Sequence, residues 1–489
     1  MGICLYNLSY SAFDIITTNF LIMLDRFAEI LCGYPLFFLL IGGGLYLFIS
    51  SGFVSLRRLP HAIRVLRSSD KDSGDMPSAN GQISSAQALA SVVAATIGLG
   101  NIAGVAIALV VGGPGAIFWM WVSALVGMAT KYHEGVLSVM YRRPPVDGDP
   151  SPRGGTMYVI RNGLHRRWRW AASLFAVAGM FGTLCIMNSN QLTEAVVATF
   201  TTPESVESHQ LLSSLSSLTS LSSMQVLRLC IGIGVSLIVA LVVLGGLRRI
   251  AAVASVLVPF MVGVYFIMVL YIIVTHFEHL PSVFTTIFSE AFNIKAGVGS
   301  LIGIAIIGAR RAALVNDAGV GTAGIMHGSS SNTSPVREGL IAMLGPSVDS
   351  GLVCTLTALA IMLALPSDAL LQMSGDIKGL EVATKAFSNA IPYGEYFLMA
   401  IVACFALSSM FSYSYYGASC ARYLFGPKRS AWYTYIFIAT IAVFAVVPLG
   451  AAVALCDIFY ALMAIPTMIT VIALSGRVRA ATKKYFTSR

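Results

Sequence analysis

The sequence predicts an all-α polytopic membrane protein with about eleven transmembrane helices. Of its 489 residues, 56% are hydrophobic and only 11% are charged, whereas a soluble protein is about 25% charged. So few charges cannot cover a soluble surface of this length, which excludes an ordinary cytosolic enzyme and a disordered chain. The apolar runs are also longer than the alternating strands of about ten residues that build a transmembrane barrel.

A helix that crosses the hydrocarbon core of a bilayer needs about 20 mostly apolar residues. Runs of this kind predict the following spans: 34–54, 86–112, 115–140, 171–198, 227–246, 251–274, 298–325, 337–365, 395–421, 431–449 and 451–475. Residues 13–32 are apolar but interrupted by charges, which predicts an interfacial helix outside this count. The Ser/Leu-rich stretch 203–224 is predicted to be a flexible external loop.

Lysine and arginine are concentrated in every second loop between the predicted spans, for example in 55–85 and 141–170. Because positively charged loops stay in the cytoplasm, this pattern predicts an external N-terminus and a cytoplasmic C-terminus. The net charge of +9 is then explained by a cytoplasmic face that meets the anionic lipid of the bilayer. It does not indicate a nucleic-acid partner, and the sequence sets no oligomeric state.

The second predicted span contains a glycine-rich, polar interruption over 94–104. Gly98, Gly100 and Gly104 each lower helix stability by roughly 1 kcal/mol relative to alanine, and Asn101 lies near the midplane. One interpretation is close helix packing through small residues. The other is a broken helix, whose freed carbonyls bind a cation and whose freed N–H groups bind a carboxylate.

The seventh predicted span has a similar interruption over 303–324. Spans two to six and seven to eleven therefore form two sets of five, and each set begins with an interrupted helix. Because five is odd, the two halves must have opposite orientation, with the first span as an addition. The predicted regions are an external segment 1–33, the first span and its basic loop 34–85, the first repeat 86–274, an external linker 275–297, the second repeat 298–475 and a cytoplasmic tail 476–489.

Other polar residues within the apolar runs need an explanation. Asp349 lies about 12 residues into its span, or roughly 18 Å along a helix, where a carboxylate is costly and usually functional. A cation site is favoured, and a structural pairing with Arg310 or Arg311 is the alternative. The segment 131–134, which contains a Lys and a His-Glu pair, is predicted to be an interfacial helix end without a catalytic role. The cysteines and histidines lack metal-ligand spacing, so no cofactor is predicted.

Three stretches, 88–134, 308–350 and 412–426, resemble the signature regions of the alanine or glycine:cation symporters, also called sodium:alanine symporters. The resemblance extends from about residue 34 to the C-terminus. It implies the LeuT-type architecture, in which two inverted five-helix repeats each begin with a helix unwound at the midplane. It also implies Na⁺-coupled symport of a small neutral amino acid, alanine or glycine in the L or D form, into the cell across the plasma membrane.

The resemblance implies roles for individual residues. The implied substrate-binding residues, the first five through their main chain, are Thr96, Ile97, Gly98, Leu99, Gly100, Asn188 and Tyr413. The resemblance also implies that Asn101, Ser408 and Ser409 bind a cation. Asp349, predicted from its depth in an apolar span, is the fourth candidate cation-binding residue. Some of these positions depart from the family pattern, which usually has threonines for the two serines, Trp for Tyr413 and Gln for Asn188. The serines keep an oxygen ligand. The smaller pocket residues leave a serine-sized or other amino acid as an alternative substrate, and H⁺ coupling is a separate alternative to Na⁺.

Two rival functions from other classes are less well supported by the sequence. An intramembrane enzyme would need a base and a nucleophile at one depth, and Ser408 and Asp349 have no membrane histidine to activate a serine. A passive channel would favour repeated filter motifs and symmetry between chains. A single-chain inverted repeat favours a transporter instead, so no enzymatic activity is predicted.

Overall fold

The computed structural model is helical in nearly every part of the chain that it describes. Those residues are 33–72, 82–143, 153–201, 210–219, 221–292, 298–366, 379–447 and 449–487, with a few positions between 23 and 31. Among them, the only strand-like pairings are two isolated bridges, Ile83–Ser330 and Arg143–Arg153. The predicted all-α class is therefore confirmed.

Twelve helices lie within the described residues of the first half of the chain, and a sharp bend separates two of them. They are α1 (Pro35–Ser50), α2 (Val54–Arg57), α3 (Leu59–Asp72), α4 (Ser85–Thr96), α5 (Gly100–Gly112), α6 (Gly115–Met140), α7 (Thr156–Gly163), α8 (Arg169–Gly182), α9 (Ile186–Phe200), α10 (Gln210–Thr219), α11 (Ser223–Val243) and α12 (Gly246–Thr275).

The second half contains eight further helices among the described residues. They are α13 (Leu280–Ala291), α14 (Val298–Asn316), α15 (Thr322–His327), α16 (Pro335–Ala364), α17 (Gly379–Ala390), α18 (Gly394–Phe425), α19 (Trp432–Phe444) and α20 (Leu449–Thr487). Helix α16 includes a π-helical stretch at Ser347–Val353.

Six helical segments of the described chain are long and apolar enough to cross a membrane, and the bent pair α4–α5 makes a seventh. The six are Arg166–Phe200, Ser223–Val243, Gly246–Thr275, Pro335–Ala364, Gly394–Phe425 and Ala452–Thr487. Two shorter apolar helices, α1 and α19, coincide with the predicted spans 34–54 and 431–449. The protein is thus a multi-pass membrane protein.

Two expectations about the external segments have different outcomes. The predicted interfacial helix 13–32 lies almost entirely outside the described residues. The prediction of a flexible loop over 203–224 is wrong for its central part, because Gln210–Thr219 is helical. Leu211, Leu215 and Leu218 recur at intervals of four and three residues, which is the spacing of one helix face.

Local sequence explains how the broken helix starts and how its neighbours pack. Ser84 caps the N-terminus of α4 in a capping box with Gln87, each side chain bonding the other residue's main-chain N–H. Helix α6 packs tightly on α16 because glycine faces glycine. A Cβ on Gly135 would lie 3.0 Å from the Cα of Gly339, so small residues allow the close approach typical of membrane helices.

Candidate functional site

The second predicted span is broken in the structure, so the break predicted from its glycines is confirmed. Helix α4 ends at Thr96, and α5 begins with a π-helical turn at Gly100–Gly104. The two helix axes differ by 58°. Ile97 takes an extended conformation between them, and the neighbouring glycine at position 98 makes departure from the helix inexpensive.

The break frees main-chain groups that an uninterrupted helix would pair. The N–H of Gly98, whose helical partner would be the carbonyl of Ala94, instead donates to Oδ1 of Asn101 at 2.9 Å. Among the described residues, the N–H groups of Leu99 and Gly100 have no hydrogen-bond partner. Freed N–H groups suit an anionic group such as a carboxylate, and freed carbonyls suit a cation.

Two serines of α18 face the freed carbonyl of Ala94. The hydroxyl of Ser408 lies 3.1 Å from this oxygen and the hydroxyl of Ser409 lies 3.2 Å from it. Both hydroxyls also lie within hydrogen-bond distance of the Phe405 carbonyl, at 2.9 and 3.0 Å, and both serines are fully buried. Glycine at position 98 permits this approach, because a Cβ there would stand 3.3 Å from Ser409 Oγ. Four neutral oxygens thus converge from two helices, and hard cations prefer oxygen ligands.

Asn101 closes the break and ties it to α16. Its Nδ2 donates to the main-chain carbonyl of Asp349 at 3.3 Å, and both residues are buried. Asp349 lies in the π-helical stretch Ser347–Val353, a geometry that is frequent at functional sites. Its Oδ1 accepts from the N–H of Ser350, whereas its buried Oδ2 has no partner among the described residues. A carboxylate oxygen with unused acceptor capacity therefore lies close to the break.

The alternative pairing of Asp349 with Arg310 or Arg311 is wrong. Both arginines have Asp457 as their acidic neighbour, and the basic neighbour of Asp349 is Lys131. The reason is the direction in which α14 faces: Arg310 is exposed and Arg311 is half-buried, whereas Asp349 is only 1% exposed.

The seventh predicted span is broken as well. Helix α14 ends at Asn316 and α15 begins at Thr322. Between them, Asp317, Gly319 and Gly321 have positive φ angles of 51°, 91° and 92°. Glycine adopts such angles without strain, and Asp is one of the few other residues that tolerate them. Both interruptions predicted from the sequence are therefore confirmed.

The two breaks lie side by side and are connected through side chains. A Cβ on Gly100 would stand 3.5 Å from Val315, next to the second break. Tyr413, one turn beyond the serine pair on α18, donates its hydroxyl to Oδ2 of Asp317 at 2.8 Å. The hydroxyl of Tyr460 in turn donates to that of Tyr413 at 2.7 Å. Tyr413 therefore links the helix of the serine pair to the second break by a hydrogen bond to a charged group.

The segment 131–134 is buried, so the interpretation of this segment as an interfacial helix end is wrong. Lys131, His133 and Glu134 are 1%, 1% and 3% exposed. Helix α6 has the bounds of the predicted span 115–140, but α16 packs over the end where these residues lie and buries it. The overlooked signal was a Lys and a Glu three residues apart, on one face of an otherwise apolar helix.

Lys131 and Glu134 belong to a buried charge cluster at the second break. Oε1 of Glu134 accepts from the main-chain N–H of Gly319 at 2.7 Å. A main-chain N–H group at the second break is therefore bound by a carboxylate of the unbroken helix α6. Lys131 is the basic neighbour of both Glu134 and Asp317. Among the described residues, its Nζ has no hydrogen-bond partner. With Asp349, three buried carboxylates thus have the same buried ammonium group as their basic neighbour.

Asn188 is the one candidate site residue that the structure does not bring to a break. It lies half-buried in the first turn of α9, and α9 packs on α18, α19 and α20. Within the described chain, its side chain makes no hydrogen bond to either broken helix. Its assignment to the substrate pocket stays a prediction.

We expect Tyr413→Phe alone to change substrate selectivity and to lower uptake by about ten- to a hundredfold. The substitution keeps the ring but leaves Oδ2 of buried Asp317 without its phenol donor, and a lost hydrogen bond to a charged group costs about 1.5–3 kcal/mol. Competition uptake with a panel of amino acids measures the effect. Tyr433→Phe is the matched control, because its buried hydroxyl donates to the Met180 carbonyl at 2.6 Å, away from both breaks.

If instead the volume of the ring sets the pocket size, Tyr413→Phe has no effect on selectivity. The double variant Tyr413→Trp/Asn188→Gln then narrows transport toward glycine and alanine, with larger substrates weakened by about ten- to a hundredfold through overpacking. Identical profiles in all variants would place both residues outside the pocket.

Two broken helices with freed main-chain groups, and buried polar side chains beside them, are an arrangement with which membrane transporters bind substrate and coupling ion. The profile of the sodium:alanine symporter family matches residues 17–489. The chain belongs to this family, and it is therefore a transporter and not an enzyme.

Three relatives illustrate the range of substrate names within the family. A sodium/alanine symporter of Methanococcus maripaludis (AgcS) is 34% identical over 96% of this chain and 97% of its own. An amino-acid carrier protein of Bacillus subtilis (AlsT) is 30% identical over 93% of this chain and 90% of its own. A probable sodium/glutamine symporter of the same bacterium (GlnT) is 30% identical over 94% and 89%.

Proposed function

We propose that this transporter carries a small neutral amino acid, alanine or glycine in the L or D form, into the cell with Na⁺. The observation that carries the proposal is the convergence of four buried oxygens at the first break. They are the carbonyls of Ala94 and Phe405 and the hydroxyls of Ser408 and Ser409. Unwound carbonyls and hydroxyls at the midplane are the ligands with which transporters bind coupling Na⁺.

The proposed substrate site uses the groups that the break leaves free. The N–H groups of Leu99 and Gly100 would bind the substrate carboxylate, and the carbonyls of Thr96 and Ile97 would bind its ammonium group. A zwitterion suits this arrangement because opposite dipoles meet at a broken helix. Asn101 has a second lone pair on Oδ1 with which to ligate a cation.

The other proposed sites are less directly supported. Asp349 would contribute charge near the cation from α16, and Asn188 would line the pocket from α9. Relatives named for alanine and for glutamine have similar identity to this chain, so the size of the substrate side chain is not fixed by family membership. A serine-sized substrate is the alternative that the shorter pocket residues favour.

H⁺ coupling is the alternative that the buried charge cluster favours. Glu134, Asp317 and Asp349 have Lys131 as their shared basic neighbour, so one ammonium group faces three carboxyl groups. A proton that binds one of these carboxylates would neutralise a charge that Lys131 leaves unbalanced. Na⁺ is preferred as the coupling ion because the neutral oxygen cluster at the first break suits a metal cation.

We propose that the architecture is the LeuT type, with about eleven spans, an external N-terminus and a cytoplasmic C-terminus. The repeats would be 86–274 and 298–475, joined by the external linker 275–297. The segment 34–85 would add one span and a basic loop, and the ends 1–33 and 476–489 would lie outside and inside. The two breaks support this arrangement because each begins one of the proposed repeats.

Uptake of radiolabelled alanine into proteoliposomes tests the proposed function. An inward Na⁺ gradient should drive accumulation above equilibrium, and a sodium ionophore should abolish it. An inward H⁺ gradient without Na⁺ tests the alternative coupling ion. Equilibration without accumulation under every gradient would instead indicate a passive channel.

We expect Asn101→Ala to raise the Na⁺ concentration for half-maximal uptake by about ten- to a hundredfold. The alanine removes both the oxygen beside the break and the bond to the Asp349 carbonyl. Asn190→Ala is the matched control, since its buried amide bonds the carbonyl of Val447, away from both breaks. Wild-type Na⁺ dependence in Asn101→Ala would refute the role of Asn101 at the ion site.

A further inference from the structure

Four arginines line one cavity outside the candidate transport site. The cavity has a volume of about 100 Å³ and is lined by Arg143, Arg153, Arg161 and Arg422 together with two tyrosines, Tyr158 and Tyr423. On the same measure, one water molecule needs about 10–15 Å³. The space is therefore large enough for a group of several heavy atoms.

The cavity is formed by three separate parts of the chain. Arg143 follows α6, and its main-chain N–H donates to the carbonyl of Arg153 at 3.1 Å. Arg161 belongs to α7, and Arg422 lies in the last turn of α18. Tyr158 of α7 contacts Tyr423 of α18 here in an edge-to-face arrangement, with ring centroids 5.2 Å apart. Arg161 and Arg422 thus belong to helices whose tyrosines pack against each other, and a main-chain hydrogen bond joins the other two arginines.

None of the four guanidinium groups is in a salt bridge with a described carboxylate. The two salt bridges of the described chain are Arg228–Glu194 and His327–Glu338. Arg143 donates to Oδ1 of Asn162 at 2.9 Å, a neutral partner. Four like charges around one cavity repel each other, so the arrangement favours an anion that neutralises them.

Tyr158 supplies a neutral hydrogen-bond donor, and the aromatic ring of Tyr423 contacts one of the arginines. Burial raises the pKa of Tyr158 above its ordinary value, with Arg153 opposing this shift, so its hydroxyl stays protonated and can donate to an anion. The guanidinium carbon of Arg161 lies 5.9 Å from the centroid of the Tyr423 ring, a cation–π distance that orients the planar fork.

We propose that this cavity binds a phosphate group with a net negative charge, one that no cation within the same ligand balances. Each planar guanidinium group can donate two hydrogen bonds to a pair of phosphate oxygens. A carboxylate or a halide offers fewer acceptor sites, so it would satisfy four guanidinium groups less completely. Trp168 and Trp170, just beyond α7, are exposed and stacked with ring centroids 6.2 Å apart. Exposed Trp is typical of the lipid headgroup level, and basic pockets at that level bind anionic headgroups. A phospholipid headgroup and free inorganic phosphate share this chemistry.

Thermal unfolding of the purified full-length protein in a neutral detergent tests the proposal. One arm adds phosphatidylglycerol to the micelles, a second adds inorganic phosphate, and a third adds phosphatidylcholine as the zwitterionic reference. A ligand that binds only the folded state raises the unfolding temperature. We expect phosphatidylglycerol to stabilise the protein more than phosphatidylcholine, and stabilisation by inorganic phosphate as well would mean that the phosphate group alone suffices.

The variants assign the effect to the cavity. Arg161→Gln/Arg422→Gln should weaken the phosphatidylglycerol response by about tenfold for each arginine removed. The matched control Arg166→Gln/Arg167→Gln removes the same charge from exposed positions that do not line the cavity, and should keep the wild-type response. Should the first pair not fold, Arg161→Lys/Arg422→Lys keeps the charge, loses the fork and should weaken the response several-fold.

Two results would overturn the proposal. One is a wild-type protein that phosphatidylglycerol and inorganic phosphate both fail to stabilise beyond phosphatidylcholine. The other is an equal loss of response in the cavity variants and in the exposed control, which would indicate attraction by general surface charge. Alanine uptake in phosphatidylcholine vesicles reports separately on folding, since these arginines lie outside the proposed transport site.

Discussion

Ser408→Ala/Ser409→Ala is expected to abolish Na⁺-driven uptake at ordinary Na⁺ concentrations. The substitution removes two of the four oxygens that converge at the first break and leaves the freed carbonyl of Ala94 without its two hydroxyl partners. Each lost hydrogen bond at a buried group costs about 1–3 kcal/mol. The Na⁺ concentration for half-maximal uptake should therefore rise by about a hundredfold or more, measured as initial uptake rates across a Na⁺ series.

Two variants separate loss of the ion site from loss of the fold. Ser414→Ala is the matched control, because this buried serine lies on the same helix and bonds the Phe411 carbonyl at 2.6 Å, away from Ala94. It should keep wild-type Na⁺ dependence. Ser408→Thr/Ser409→Thr retains both hydroxyls and should keep measurable coupling. Unchanged Na⁺ dependence in the double alanine variant would refute the ion-site assignment.

Lys131→Met is expected to reduce the yield of folded protein severely. It removes the basic neighbour that Glu134, Asp317 and Asp349 share inside the helix bundle, and breaking a buried charge set by removing one partner costs about 3–5 kcal/mol. Folded proteins are stable by only about 5–15 kcal/mol, so this loss is large. Recovery of monodisperse protein in mild detergent and its unfolding temperature measure the effect.

A second substitution tests whether charge balance is the cause. Lys131→Met/Glu134→Gln removes one charge of each sign, and the glutamine keeps an oxygen for the N–H of Gly319. The double variant should recover most of the lost stability, even if transport stays impaired. A double variant that is less stable than Lys131→Met would mean that Lys131 stabilises the fold through packing of its long side chain and not through its charge.

The sequence carries enough information to predict both broken helices. Clustered glycines around Asn101 weaken one apolar span, and a similar cluster with Asp317 weakens another, and both spans are interrupted in the structure. Local composition suffices here because a break is a local event. Family resemblance singled out Ser408 and Ser409 as cation-binding residues, but no sequence pattern indicated their contact with the Ala94 carbonyl, which lies 314 and 315 residues away along the chain.

The remaining features depend on tertiary packing that no local pattern encodes. Lys131 and Glu134 resemble the polar end of a membrane helix in sequence, and they are buried only because α16 packs against this part of α6. The bond from Tyr413 to Asp317 requires a positive φ at Asp317 that aims its side chain at α18. Arg310 and Arg311 have Asp457 and not Asp349 as their acidic neighbour because of the rotation of α14 about its axis, which the sequence does not indicate.

The π-helical stretch Ser347–Val353 fixes the rotational phase of the second half of α16. An α-helix turns by about 100° per residue, and a π-helical turn accommodates one residue more than an α-helical turn. The resulting offset brings Thr357 to the hydroxyl of Tyr265 at 2.7 Å and Thr355 to the indole of Trp121 at 2.8 Å. If the same residues were wound as an α-helix throughout, both threonines would be turned away from these partners by about 100°. The one extra residue of the π-helical turn therefore selects the face that the second half of α16 presents to α6 and α12, and a chain shortened by one residue within the stretch could close into an α-helical turn and keep both contacts.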